Sequence, residues 1–147
     1  MDGAVAARVA LVRIHALHQQ DFDQAVPAAV VAADPNIVDT YLSYSNGLAG
    51  IGFWLRIYVS DTSDDAVAGA VDAAFAAAFH ASPAPPTSIV LDVAEAPKPA
   101  TVNARTGQLS LDGVAAQLGL AADTSDDRIT LSSGELAERY GAWQARG

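Results

Sequence analysis

Residues Val38–Ser60, VDTYLSYSNGLAGIGFWLRIYVS, decide how the rest of the chain is read. Two runs in this stretch alternate with a period of two, the spacing at which strand side chains point to opposite faces. In the first run Val38, Thr40, Leu42 and Tyr44 stand against Asp39, Tyr41, Ser43 and Ser45. In the second, Phe53, Leu55, Ile57 and Val59 stand against Trp54, Arg56, Tyr58 and Ser60. The link between them opens with Asn46-Gly47 and carries two more glycines, Gly50 and Gly52. Asn-Gly is a turn signal, and glycine tolerates positive φ. The stretch reads as an antiparallel hairpin with a long glycine-rich tip, an oily inner side and a tyrosine–tryptophan–arginine outer side.

Helical periodicity flanks the hairpin. Phe22, Val26, Ala29, Val30 and Ala33 recur at helical spacing before the stop signal Asp34-Pro35. After the hairpin, Thr62 with Asp65 three residues on reads as a capping-box variant. It opens a helix whose stripe is Val67, Ala70, Val71, Ala74, Phe75, Ala78 and Phe79. His80 falls in its last turn, and Ser82-Pro83-Ala84-Pro85-Pro86 ends it. Ile89 to Val93 is the next strand. Residues 8–17 fit either a strand or a helix. The expected fold is therefore α+β, an antiparallel sheet with helices on one face. It is a ferredoxin-like β-α-β-β-α-β sandwich, or α-α-β-β-α-β if residues 8–17 are helical. Pro97-Lys98-Pro99 separates this core, residues 1–96, from a C-terminal extension, 97–147. The extension reads as a small hairpin around residues 105–107, a short helix 113–120, a short strand 128–131 and a terminal helix 134–144 with Ser132 and Glu135 as capping box. About 50 residues are too few for a secure core of their own. The extension is expected to pack on the first part as one domain; the outer sheet face is covered by this extension, by a second subunit or by a ligand, and the extension is the favoured reading because its apolar helices must bury their own stripes.

Composition sets limits on chemistry. With 51% hydrophobic residues, 147 residues can bury a real core. There is no cysteine, which excludes disulfides, thiolate catalysis and cysteine-ligated zinc. The formal charge is −9, and the eight cations, Lys98 and seven arginines, are scattered along the sequence. Phosphate backbones are held by clustered cations, so neither nucleic acid nor an anionic membrane surface is an expected partner. The longest apolar stretch, Gly47–Val59, is too short to span a membrane and contains Arg56. Residues 1–3 lack the basic start of a signal peptide. A cytoplasmic location is therefore favoured over a processed extracytoplasmic one. Abundant alanine, with arginine in place of lysine, reads as the coding bias of a GC-rich genome.

Few residues combine into recognisable chemistry. His15, His18 and Asp21 would share a helix face as a metal set, but would diverge on a strand. Asp61, Asp64, Asp65, Asp123, Asp126 and Asp127 lack the spacing of a calcium loop and suit helix capping better. No Gly-x-Ser-x-Gly elbow or P-loop is present. Leu111-Asp112-Gly113-Val114-Ala115-Ala116-Gln117-Leu118-Gly119-Leu120 resembles the first helix and turn of helix-turn-helix DNA-binding proteins, and Glu135–Gly141 is similar in style. The resemblance implies DNA binding, yet an acidic run, residues 121–127, stands where a basic recognition helix belongs. No DNA-contact residue is carried over.

The outer hairpin face remains. Tyr41, Trp54 and Tyr58 around Arg56 are residue types enriched at recognition surfaces, and Leu48 and Ile51 give the tip an apolar character. The expected function is a non-enzymatic protein-interaction or accessory module, needing no cofactor, with another protein or a second copy of the chain as partner. The alternative is a small-molecule binding protein or small α+β enzyme, with Arg56 pairing an acidic ligand.

Overall fold

The computed structural model describes residues 24–47, 50–102, 107–120 and 127–144, with backbone alone at 45–47 and 50. Residues 24–33 are helical (α1). They lead into β1 (Ile37–Gly47) and β2 (Gly50–Val59), followed by α2 (Asp64–Ala81), β3 (Ser88–Glu95), α3 (Asp112–Leu118), β4 (Ile129–Ser132) and α4 (Ser133–Tyr140). The four strands form one sheet in the order β1-β2-β3-β4.

The hairpin forms as its alternation dictates. β1 and β2 pair antiparallel from Ile37↔Val59 to Gly47↔Gly50, with Thr40, Leu42 and Tyr44 opposite Ile57, Leu55 and Phe53. Tyr41, Ser43 and Asp39 oppose Arg56, Trp54 and Tyr58 on the other side. One residue departs from the pattern. A bulge between Ile37 and Asp39 shifts the register, so Ile37 fills the core at 3% exposure and Val38 is turned out to 49%. An extra residue in one strand flips the faces beyond it.

The expected antiparallel sheet is instead mixed. β2 and β3 pair in parallel over eight residues, from Gly52↔Ser88 to Val59↔Glu95, and β4 closes the sheet antiparallel to β3. The reason lies in α2. A helix between two neighbouring strands carries the chain back to the end it left, which makes the second strand parallel to the first. The leading strand of a β-α-β-β-α-β order would occupy residues 8–17, outside the described residues. What the described residues establish is an α+β fold with four helices and a four-stranded mixed sheet among them.

All four helices feed one hydrophobic cluster on the inner face. Val26 and Val30 of α1 join the α2 stripe Val67, Ala70, Val71, Ala74, Phe75, Ala78 and Phe79. Phe53, Leu55, Ile57 and Val59 of β2 and Ile89, Leu91 and Val93 of β3 lie against them. The cap of α2 is Ser63, one residue later than the sequence suggests, its hydroxyl accepting from Ala66 N. The Thr62 position is displaced because Asp61 folds back to accept from Ser63 N.

Residues of the C-terminal part contribute to the hydrophobic cluster. Leu111, Val114, Ala115, Ile129, Leu131 and Leu136 enter the same cluster. α4 has both bonds of its capping box, Ser132 Oγ with Glu135 N and Glu135 Oε1 with Ser132 N. It stops at Gly141, φ 87°, short of the expected 144. It is fastened to α2 by Tyr140 Oη donating to Asp72 Oδ1 at 2.8 Å and Arg139 Nε to the same oxygen at 3.0 Å. Beyond it, Trp143 Nε1 donates to Ser82 O. Residues 107–109 run beside the end of β3 through a single bridge, Ala94↔Gln108, and form no strand among the described residues. α3 starts at Asp112 after Leu111, with no side-chain cap bond. Strand β4, not a helix, precedes α4, so the described part of the extension lacks a helix-turn-helix arrangement.

Candidate functional site

The parallel pairing of β2 with β3 sets the chemistry of the outer face. It places Arg56 beside Asp92, Trp54 beside Val90 and Tyr58 beside Ala94. Asp92 is the one charge in β3's Ile89–Ala94 run, and it is fully buried. A buried carboxylate is tolerable only when paired and hydrogen-bonded, and Asp92 is both. Arg56 Nε donates to Oδ1 at 2.7 Å and Arg56 Nη2 to Oδ2 at 3.1 Å, a bidentate fork. Trp54 Nε1 donates to Oδ2 at 3.0 Å. Burial works against the Arg56 charge, but the bonds and field of Asp92 outweigh it, so its pKa rises above the ordinary value. Arg56 is thus a permanent cation whose fork is turned inward to Asp92.

The fold then gathers cations that the sequence scatters. Arg128, just before β4, brings its Nε to 3.5 Å from Asp92 Oδ2 and sets its guanidinium 5.3 Å from the Trp54 ring centre. Arg56 lies 5.5 Å from the same ring. Lys98 Nζ lies 5.9 Å from the Tyr41 ring, donates to Thr40 O at 2.7 Å and stands 4.0 Å from Asp39. Tyr41 and Trp54 meet edge to face with centres 5.3 Å apart. Of the four Lys and Arg among the described residues, three converge on this one face. Two guanidinium groups share one carboxylate, and the second is poorly served. Arg128 Nε is buried with no hydrogen-bond partner among the described residues. Tyr58 Oη is buried in the same layer beside Arg56, whose charge it helps to hold.

Beside Trp54 the face opens. A cavity of about 290 Å³ is lined by Ser43, Tyr44, Gly52, Phe53, Trp54, Ser88 and Val90, at the hairpin-tip end of the sheet. Gly52 lies between Ser88 and β1 on the outer side and contributes no side chain, so room remains next to the indole. Trp54 is half-buried, one edge tied to Asp92 and its body bordering the cavity.

The residues singled out in the sequence divide accordingly. Tyr41, Trp54, Arg56 and Tyr58 share the outer face, but Arg56 and Tyr58 are fully buried there, so only Tyr41 and Trp54 are open to a partner. Ile51 does not join them; it packs partly buried against the core cluster. Leu48, His15, His18 and Asp21 lie outside the described residues, as do Asp123 and Asp126. Arg56 is engaged by Asp92, which removes its expected role as the cation facing an acidic ligand. Asp92 and Arg128 were not singled out. The signal for Asp92 was present, a single carboxylate in an apolar strand matching the single arginine of β2. Arg128 carried none, because its neighbours on this face are distant in sequence. In comparisons with known proteins, no family model, no curated protein and no solved structure matches this chain.

Proposed function

We propose that the chain is a non-enzymatic binding module that holds its partner molecule against the outer sheet face at Trp54. The observation carrying this reading is a preset indole at the mouth of an open cavity. Trp54 is fixed by its bond to Asp92 and by its contacts with Tyr41, Arg56 and Arg128. A side chain held before its ligand arrives loses little freedom on binding. The arrangement suits recognition better than catalysis, because Asp92, the buried carboxylate of this face, is already shared among three donors.

A thermal-shift screen with small compounds of mixed charge tests the proposal. Compounds that bind the native state raise its melting temperature. The shifts seen with the wild-type chain are expected to vanish in Trp54→Ala. Shifts of equal size in both proteins place the binding elsewhere and remove the proposal.

A second reading, a protein partner or a second copy of the chain, is favoured by the residue types. A tryptophan and a tyrosine framed by arginine and lysine have the composition of interface anchors. Concentration-dependent dimerisation in sedimentation, abolished by Trp54→Ala, would select this reading.

A further inference from the structure

We propose that the cavity beside Trp54 takes a neutral pyranose sugar, seated over Gly52 with its C–H face against the indole and its hydroxyls between Ser43 and Ser88. The inference rests on the reading of Trp54 as the contact surface and adds the chemistry of the ligand.

Three observations support this assignment. The first is Gly52. Glycine inside a strand weakens it, and marks a bulge, a tight bend or a close approach by another group. Gly52 has no positive φ, and both ladders run through it without a shift, as Ser45↔Gly52 and Gly52↔Ser88. The backbone therefore does not call for glycine at this point. What the missing side chain supplies is room above the sheet. A cavity of about 290 Å³ opens there, near the lower end of the roughly 300–1,000 Å³ of small-ligand sites.

The second observation is the arrangement around the indole. By register Arg56 and Asp92 lie on one side of Trp54, and Gly52 and Ser88 on the other. Arg128, one residue before the Leu91↔Ile129 pair, falls on the Asp92 side. Both guanidinium groups thus belong to the side away from the cavity, at 5.5 and 5.3 Å from the ring centre. The cavity has no charged side chain among its described lining residues. An anion there would be unpaired, which is costly. A cation would be the third positive group on one indole. The ligand that fits is neutral.

The third observation is the placement of polar groups. Ser43 of β1 stands opposite Trp54, and Ser88 of β3 opposite Gly52, so hydroxyls flank the cavity from both neighbouring strands. Each can donate and accept. The indole N–H is turned to Asp92, so Trp54 offers the cavity carbon surface and no donor. A flat aromatic ligand would match the indole and leave both serines idle. An open-chain polyol would meet the serines and present no apolar face. A pyranose does both: its axial C–H groups form an apolar face that suits an aromatic ring, and its equatorial hydroxyls radiate to either side.

Glucose, galactose, mannose and N-acetylglucosamine serve as probes, with benzyl alcohol as the flat ring, glycerol as the open-chain polyol and choline as the cation. Binding is followed on the full chain by the indole N–H resonance of Trp54 in NMR, assigned with Trp143→Phe. At least one pyranose is expected to shift that resonance saturably. Benzyl alcohol, glycerol and choline are each expected to bind roughly tenfold more weakly or not at all, as the loss of hydrogen bonds or of the apolar face implies. The double variant Ser43→Ala/Ser88→Ala should weaken the sugar by roughly tenfold and leave benzyl alcohol unchanged. Gly52→Val returns a side chain to the cavity and should abolish sugar binding. These positions are exposed or half-buried, and a circular dichroism melt checks folding; the serine variant carries the test should Gly52→Val not fold. Sugar affinity unaltered in the serine variant or in folded Gly52→Val would overturn the inference. So would benzyl alcohol or choline binding as tightly as the best sugar, or the lack of a saturable shift with any of the pyranoses at tens of millimolar. If benzyl alcohol binds at Trp54 and no sugar does, the Trp54 surface stands and the sugar assignment falls. If a sugar binds Trp54→Ala as well as wild type, read from saturation transfer to the sugar's own protons, both fall.

Discussion

Asp92 shows how one residue can organise a surface. It sits in a strand that is otherwise apolar between Ile89 and Ala94, and its desolvation is offset only because Arg56 and Trp54 both donate to it. Removing one partner of such a pair leaves the other as an uncompensated buried charge, which costs about 3–5 kcal/mol. Asp92→Ala is expected to destabilise the protein by about that amount in a denaturant melt. The double variant Arg56→Met/Asp92→Leu removes both charges together, and is expected to recover most of the loss. A double variant as unstable as the single one would mean that the pair does not act as a unit. The sequence hid this pairing because register across a parallel pair cannot be read from either strand alone. Arg56 was legible as an outward residue of β2; that its fork would close on an internal carboxylate depended on β3 lying directly beside it.

At the scale of elements, regular segments were legible and their junctions were not. The alternation of Phe53–Val59, the stripe Val67–Phe79 and the box formed by Ser132 with Glu135 each declare themselves locally, and each forms. Ser132→Ala is expected to cost about 1 kcal/mol in a thermal melt by removing the α4 cap. The misses concern how elements meet rather than the elements themselves. The bulge that exchanges Ile37 for Val38 is a register event between strands. The parallel pairing of β3 follows from where α2 returns the chain, and a helix between two strands is the signal that could have disclosed it.

The docking of α4 on α2 adds a pH dependence. Burial, reinforced by the Asp72 carboxylate, disfavours the Tyr140 phenolate and raises its pKa above the usual 10.0, with Arg139 opposing. The folded protein keeps a proton that the unfolded chain gives up. Its contribution to stability is therefore complete below pH 10 and declines as pH rises beyond it. Wild-type melting temperature is expected to fall through this range. Tyr140→Phe, less stable at neutral pH by about 1 kcal/mol for the lost hydrogen bond, should show a shallower decline. Identical slopes for both proteins would exclude the contact as the cause.

At the scale of the molecule, an acidic chain gathers three cations on one side of its sheet. The sequence could show their number but not their convergence, since Arg56, Lys98 and Arg128 come from β2, the segment after β3 and the residue just before β4. Lys98 also shields part of the β1 edge by taking the Thr40 carbonyl, one way in which strand edges are kept from pairing.

All of this depends on Trp54 facing away from the layer that holds Phe75 and Phe79. With Trp143→Phe, Trp54 is the sole tryptophan, and acrylamide quenching of its fluorescence reports its surroundings directly. Intermediate quenching, greater in Asp92→Asn and unchanged in Phe75→Leu, is the expected result. Blue-shifted emission that acrylamide cannot reach, altered by Phe75→Leu and indifferent to Asp92→Asn, would contradict it.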